Sequence, residues 1–321
     1  MRGVGLWALV VSLGLLAWAQ EFTGDYSTHD PSLIRAGNTF YVFSTGDPNR
    51  GAGGIQIRAS QDGKNWKYLG TVFAELPAWI VKEVGFVPNL WAPDISFWNG
   101  QYHLYYAAST FGSQDSAIGL ATNVTLDPKS PRYKWVDEGM VVRSGTANTF
   151  NAIDPNFVRD AQGQPWLVWG SFWDGIRLGR LDPRTGKLLA SDPRLYRLAS
   201  RGGGAIEAPG IVYRGGYYYL FVSFDACCKG LESTYNIRVG RSRAITGPYV
   251  DQNGVPMTEG GGTLLLASQG RYVGPGGQFV YNDGGTFRLV FHYYDRDDSG
   301  LPKLAMRGLE WVGGWPKVGG Q

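Results

Sequence analysis

Three acids stand just ahead of a proline in this chain: Asp30 in HDPSL, Asp154 in NAIDPNF and Glu207 in IEAPGIV. Asp30 and Asp154 directly precede Pro31 and Pro155, and Glu207 lies two before Pro209. A single Asp-Pro pair is most simply a turn starter. Acids at matching places in three repeats, where a purely structural role would put one in every repeat, point instead to a shared site. Carboxylates crowded into one pocket repel, so at least one keeps its proton near neutral pH. Cleaving a glycosidic bond needs that condition: one carboxylic acid protonates the leaving oxygen while another carboxylate activates water or attacks directly. Nearby Trp91, Phe111, Trp169 and Trp173 offer flat faces to sugars, and Asn151 and Ser171 offer hydrogen bonds to hydroxyls.

Other chemistries find little support. Of the three histidines, His29, His103 and His292, only His29 adjoins an acid, and their spacing is not that of a zinc site. No G-x-S-x-G elbow occurs, and the glycine clusters at Gly51, Arg201 and Glu259 lack the strand-to-helix context of a nucleotide loop. A formal net charge of +3 with no basic stripe gives nucleic acid no electrostatic footprint.

The elements that must position these acids are read from the phrases around them. DPSLIRAGNTFYVF, APDISFWNGQYHLYY, DPNFVRDAQGQPWLVW, EAPGIVYRGGYYYLFVSF and GPGGQFVYNDGGTFRLVF each read as strand, tight turn and aromatic-rich strand. Their prolines, Pro31, Pro93, Pro155, Pro209 and Pro275, recur every 54 to 66 residues. This period, all-β and without helical periodicity, predicts a five-bladed β-propeller in a single domain, each phrase opening the innermost strand of a blade. A twin β-sandwich would leave the fivefold phrase unexplained. GIQIRASQDGKNWKYLG and YNIRVGRSRAITGPYV would supply outer strands, with Arg58, Lys64, Lys67, Arg238 and Arg241 on a solvated rim. Phe40, Tyr41, Tyr218, Tyr219 and Tyr294 are expected to pack blade against blade. The residues before the prolines then ring one mouth of the central channel, bringing Asp30, Asp154 and Glu207 together.

Arg2, an apolar run from Val4 to Trp18 and the A-x-A at Ala17–Ala19 read as a secretion signal over 1–19, leaving a propeller over 20–321 and no later membrane span. The two cysteines, Cys227 and Cys228, are neighbours, so they form either a vicinal disulfide or two buried thiols.

Taken together, HDPSL, NLWAPDI, NAIDPNF, GSFWDGIRL, IEAPGIVYRGGYYYLFVSFDACCKG, STYNIRVGRS and EGGGTLLL resemble the endo-arabinanases of glycoside hydrolase family 43, from about Asp25 to Trp315. The resemblance implies a secreted, monomeric, inverting endo-hydrolase of α-1,5-linked L-arabinan, as in pectin side chains, that requires no cofactor for its chemistry. Carried onto this sequence, it implies Asp30 as general base, Glu207 as general acid and Asp154 as the residue that tunes the acid. It also implies a substrate groove containing Trp91, Phe111, Gly112, Asn151, Ser171, Phe172 and Trp173. In the fifth phrase the family's usual histidine after GPG, which serves an axial metal, often calcium, is replaced by Gly277. An axial calcium is then expected to be weakly held, and Gly277→His to strengthen it. Gln278 and His292 lie near without matching the motif. Two other functions use the same fold: an exo-acting arabinofuranosidase or xylosidase, or a fructan hydrolase. A non-catalytic carbohydrate-binding propeller would not need three acids. The absence of long insertions between phrases favours the open, endo form.

Overall fold

All five phrases fold as the innermost hairpin of a four-stranded antiparallel blade. The computed structural model describes residues 21–319, so the leader expected over 1–19 lies outside the described residues. Blade 1 holds β1 (Thr23–Gly24), β2 (Ser32–Ala36), β3 (Thr39–Ser44), β4 (Gln56–Ser60) and β5 (Asn65–Thr71), with β1 added in parallel outside β5. After a short helix, α1 (Ala78–Glu83), blade 2 follows as β6 (Trp91–Trp98), β7 (Gln101–Ala108), β8 (Ser116–Asn123) and β9 (Val136–Ser144). Blade 3 is β10 (Asn156–Arg159), β11 (Pro165–Trp169), β12 (Ile176–Arg180) and β13 (Leu195–Ala199). Blade 4 is β14 (Ile206–Arg214), β15 (Tyr217–Phe224), β16 (Asn236–Ser242) and β17 (Thr263–Leu266). Blade 5 is β18 (Tyr272–Asp283), β19 (Thr286–Asp295), β20 (Leu301–Val312) and β21 (Trp315–Val318). Five separate sheets are incompatible with a twin sandwich.

The cores lie between blades. Successive residues of a strand face opposite sides of its sheet. Tyr218 therefore enters the cluster shared with blade 3, and Tyr219 the one shared with blade 5. Tyr105 and Tyr106 divide likewise between blades 3 and 1. The fifth cluster, with Leu33, Val42, Tyr281, Val290 and Leu304, joins blade 5 to blade 1. The N-terminal segment clasps the same joint, where Thr28 N–H donates to Pro302 O and Leu304 N–H donates to Tyr26 O.

Near the axis the inner strands of neighbouring blades do not pair, so their backbone N–H groups need other partners. In three successive blades the side chain just after the proline accepts the N–H two residues after the next blade's proline. Ser32 Oγ accepts from Ile95 N, Asp94 Oδ2 from Phe157 N and Asn156 Oδ1 from Ile211 N, each at 3.0 Å. Asn156 also donates to Asp94 Oδ1 at 2.7 Å. Gly210 and Gly276 hold the corresponding places in blades 4 and 5 and have no side chain to offer. There Gly277 N–H turns to Ser223 Oγ at 3.1 Å, and the Gln278 amide reaches back to Ala208 O. Where the five phrases meet, the axis holds only a small cavity of about 30 Å³.

Two expectations about outer residues are corrected. YNIRVGRS forms β16, the third strand, and the outermost strand β17 comes from TLLL; the intervening ITGPYV lies outside the strands. Arg58 is not on the rim. It is 1% exposed and donates to Asp25, Ser44 and Gln56, tying the start of the described chain to blade 1.

The inter-blade bonds lead to a test. Asp94→Ala leaves Phe157 N–H and the Asn156 amide unpaired in a buried place, each costing about 1–3 kcal/mol. The unfolding free energy from denaturant titration should fall by roughly 2–6 kcal/mol in total, and Asp94→Asn, which keeps one acceptor, should lose less. Equal stability of Asp94→Ala and wild type would show that these bonds do not hold the blades.

Candidate active site

The residue before each proline has a left-handed backbone: φ is 51° at Asp30, 36° at Ala92, 56° at Asp154, 51° at Ala208 and 54° at Gly274. Such conformations are costly for residues other than glycine, though least so for Asp and Asn, and they collect at functional sites. The kink recurs at the same place in every blade and re-aims the start of the inner strand. It puts Asp30 and Asp154 at the mouth directly. Glu207 arrives one residue earlier in its phrase, with the kink falling on Ala208.

All three acids border one groove of about 1160 Å³ across the mouth, as do Trp91, Phe111, Gly112, Asn151, Ser171, Phe172 and Trp173. Phe111 is 79% exposed and leans against Trp91 with ring centroids 5.0 Å apart. A large apolar ring left in water marks a binding surface more often than packing. Phe172 and Trp173 sit on a tight loop with φ of 49° and 39°. The Asn151 side-chain amide oxygen is buried without a hydrogen-bond partner. Trp169, also expected at the mouth, lies instead in the core between blades 2 and 3 with no exposed surface. Of its near neighbours, Ser171 borders the groove.

The acids have contrasting surroundings. Asp30 Oδ2 accepts from Thr45 Oγ1 at 2.7 Å and lies 2.7 Å from His29 Nδ1. Thr45 Oγ1 itself accepts from Ala92 N–H, so its proton is committed to Asp30. Burial works against the charge on Asp30, but His29 and Thr45 outweigh it and hold the carboxyl at about 2. Burial likewise disfavours a charged His29, yet Asp30 and then Glu207 keep its pKa above the ordinary value. Glu207 is raised, chiefly by burial and further by the charge on Asp30. Hydroxyl bonds from Tyr235 at 2.6 Å and Ser171 at 2.7 Å oppose that rise. Asp154 is driven well up by burial and then by Glu207 and Asp30, with only the Ala208 N–H against it. One acid is thus firmly ionised, while two neighbours resist ionisation.

Several groups in this site were not singled out from sequence. Tyr235 lies in a quoted phrase, but nothing in strand alternation distinguishes it from core tyrosines. Thr45 carries no signal at all. Tyr294, expected between blades, instead lines the groove, where its hydroxyl lies 2.8 Å from His29 Nε2 and accepts Cys228 N–H at 2.8 Å. Cys227 and Cys228 form a vicinal disulfide on the same wall.

The residues offer an axial calcium few protein oxygens. Calcium takes six to eight oxygen ligands. The axial cluster of His29, Asp30 and His292 offers two imidazoles and one carboxylate. Asp30 N–H donates to His292 Nδ1 at 3.1 Å, so the neutral His292 ring carries its proton on Nε2 and has no lone pair free there. Nor does Gly277 leave room for the family's histidine. Its φ is +55°, and a Cβ there would stand 2.4 Å from Asp30 Oδ1 and 2.7 Å from His292 Nδ1. The expectation that Gly277→His would strengthen calcium is therefore replaced by one of steric conflict with His292.

The raised pKa of Asp154 sets a stability test. A carboxyl whose folded pKa exceeds its unfolded value near 3.8 favours folding below that value, and the benefit is lost as pH rises through the folded pKa. Asp154→Asn cannot ionise and can still accept the Ala208 N–H. At pH 7 it should be more stable than wild type by about 0.5–2 kcal/mol, with the gain vanishing below pH 4 in parallel thermal melts. A gain independent of pH would contradict this origin.

Comparison with known proteins agrees with the fold. The family model for glycosyl hydrolases family 43 matches residues 23–316. The extracellular endo-α-(1→5)-L-arabinanase 1 of Bacillus subtilis (strain 168) is 46% identical over 291 residues, covering 90% of this chain and 86% of that protein. The extracellular exo-α-(1→5)-L-arabinofuranosidase of Cellvibrio japonicus (strain Ueda107) is 42% identical over 303 residues, with the same two coverages of 90% and 86%. The solved structure of a family 43 endo-arabinanase from Bacillus licheniformis superposes with a TM-score of 0.86 at 48% identity, covering 92% of this chain and 99% of that one. With five matching blades, an acid-lined mouth and a family match running through nearly all of them, this chain belongs to glycosyl hydrolases family 43.

Proposed function

We propose that the protein is an inverting endo-hydrolase of α-1,5-linked L-arabinan, with Asp30 as general base, Glu207 as general acid and Asp154 as the residue that keeps Glu207 protonated. The observation that carries this is the opposite state of two acids in one groove. Glu207, raised by burial, has a proton to give to the leaving oxygen; Asp30, held at about 2, has a lone pair to take one from water. The Ser171 hydroxyl both donates and accepts, so it can stay bonded to Glu207 through proton loss. Asp154 makes no hydrogen bond to Glu207 and, among the described residues, accepts only the Ala208 N–H; because ionisation of either acid opposes ionisation of the other, it would act by tuning Glu207. Trp91 and Phe111 on one side, with Phe172 and Trp173 across the acids, would hold successive sugars by their faces.

Endo attack needs a groove that holds sugars on both sides of the cleaved bond, and this groove is large enough to do so. At about 1160 Å³ it exceeds the 300–1,000 Å³ of ordinary small-molecule pockets and suits several sugar units at once. Both relatives are named as extracellular, which together with the leader pattern supports secretion.

Proton NMR of the first-formed product should show the cleaved sugar with inverted anomeric configuration, and early products from linear arabinan should be mixed oligosaccharides. Retention would remove Asp30 from the base role, and arabinose alone would mean exo attack. Asp30→Ala and Glu207→Ala should each lower kcat about 10²–10⁴-fold on arabinan. The Glu207 variant should lose far less on an aryl arabinoside, whose leaving group needs little protonation. The pH profile should fall on its alkaline side as Glu207 loses its proton, and Asp154→Asn should move that limb.

A further inference from the structure

His29 has the second shell of a metal-ligating histidine. Its Nδ1 lies 2.7 Å from Asp30 Oδ2, and the proton held between them leaves Nε2 as the ring's lone-pair nitrogen in the neutral form. Ligating histidines almost always give their other N–H to a carboxylate or carbonyl in this way. What Nε2 faces is sulfur: Cys228 Sγ is 3.8 Å away, and His29, Cys227 and Cys228 each bring one ligand atom within 4.8 Å of the others. Cys228 is exposed and the whole cluster borders the groove, so an ion could enter and keep an open position.

We propose that, once the Cys227–Cys228 disulfide is reduced, His29, Cys227 and Cys228 form a site for a zinc- or cadmium-type divalent cation, and that filling it shuts down the hydrolase. In the oxidised protein each sulfur is tied to the other and neither is a thiolate, the form that binds metal. A phosphine supplies the two electrons: it takes one oxygen from water, becoming the phosphine oxide, and the disulfide gains two hydrogens to become two thiols. The divalent ion then displaces two thiol protons and takes the His29 lone pair, giving a Cys2His set with a fourth position open to the groove. Soft thiolates select such ions over calcium or magnesium. Inhibition follows from position. The ion takes His29 Nε2 from Tyr294 and sets a positive charge beside the imidazole that supports Asp30.

The test uses the purified protein, reduced with a phosphine and freed of it without oxygen, with thiols counted before cadmium or zinc is added. Cadmium should bind the reduced form one to one, with ultraviolet thiolate-to-cadmium absorption, and the oxidised form should show neither. Cys227→Ser/Cys228→Ser should abolish the band, and His29→Gln should weaken cadmium affinity at least tenfold while keeping it. Stoichiometric zinc should lower arabinan hydrolysis at least tenfold in the reduced protein only. The proposal is overturned if no thiols appear after reduction, if the reduced protein binds no cadmium, if His29→Gln binds as tightly as wild type, or if oxidised and reduced protein are inhibited alike. The binding readouts do not depend on the substrate, so they stand apart from any failure of the arabinan reading.

Discussion

The constraint on which the rest depends is that inner strands of adjacent blades approach the axis without pairing, so their backbone N–H groups must be answered from elsewhere. Ser32, Asp94 and Asn156 answer them in turn, each from the blade before. Because each bond links fixed positions after successive prolines, the blades are held in register around the axis. The acids, fixed positions before those prolines, are held in register with them. Burial pushes the Asp94 carboxyl up to about 7 even with two donors on it, a measure of how dry this ring is.

The same dryness shapes the chemistry at the mouth. Burial alone would raise every carboxyl there, so a general base survives only where specific partners outweigh it. Asp30 has them in His29 and Thr45, and Glu207 and Asp154 have too few. The site is therefore asymmetric even though its acids come from matching positions in repeated blades. His29 is drawn into that asymmetry through Tyr294, which also fixes Cys228, so the wall carrying the disulfide is continuous with the support of the base.

Much of this was legible in the chain. The five proline phrases marked the inner hairpins, and strand alternation was enough to make Tyr41, Tyr218 and Tyr219 core residues. Asp30, Asp154 and Glu207 line one mouth as their repeats implied, and Trp91, Phe111, Gly112, Asn151, Ser171, Phe172 and Trp173 line it as the family resemblance implied. Trp169 and Tyr294 went the other way because alternation states that neighbours face opposite sides without stating which side is the groove. Arg58 looked like a rim charge because a local pattern does not contain Asp25, a residue brought to it by a parallel strand from outside the repeat.

The sequence by itself determined what repeats, since period, turn residues and side-chain alternation are local properties of the chain. Only the tertiary structure decided which acid is ionised, that His292 fills the space beside Gly277, and that two adjacent cysteines are bonded next to His29. Charge state, steric exclusion and ligand geometry depend on distances between blades, and no pattern within one blade encodes a distance to another.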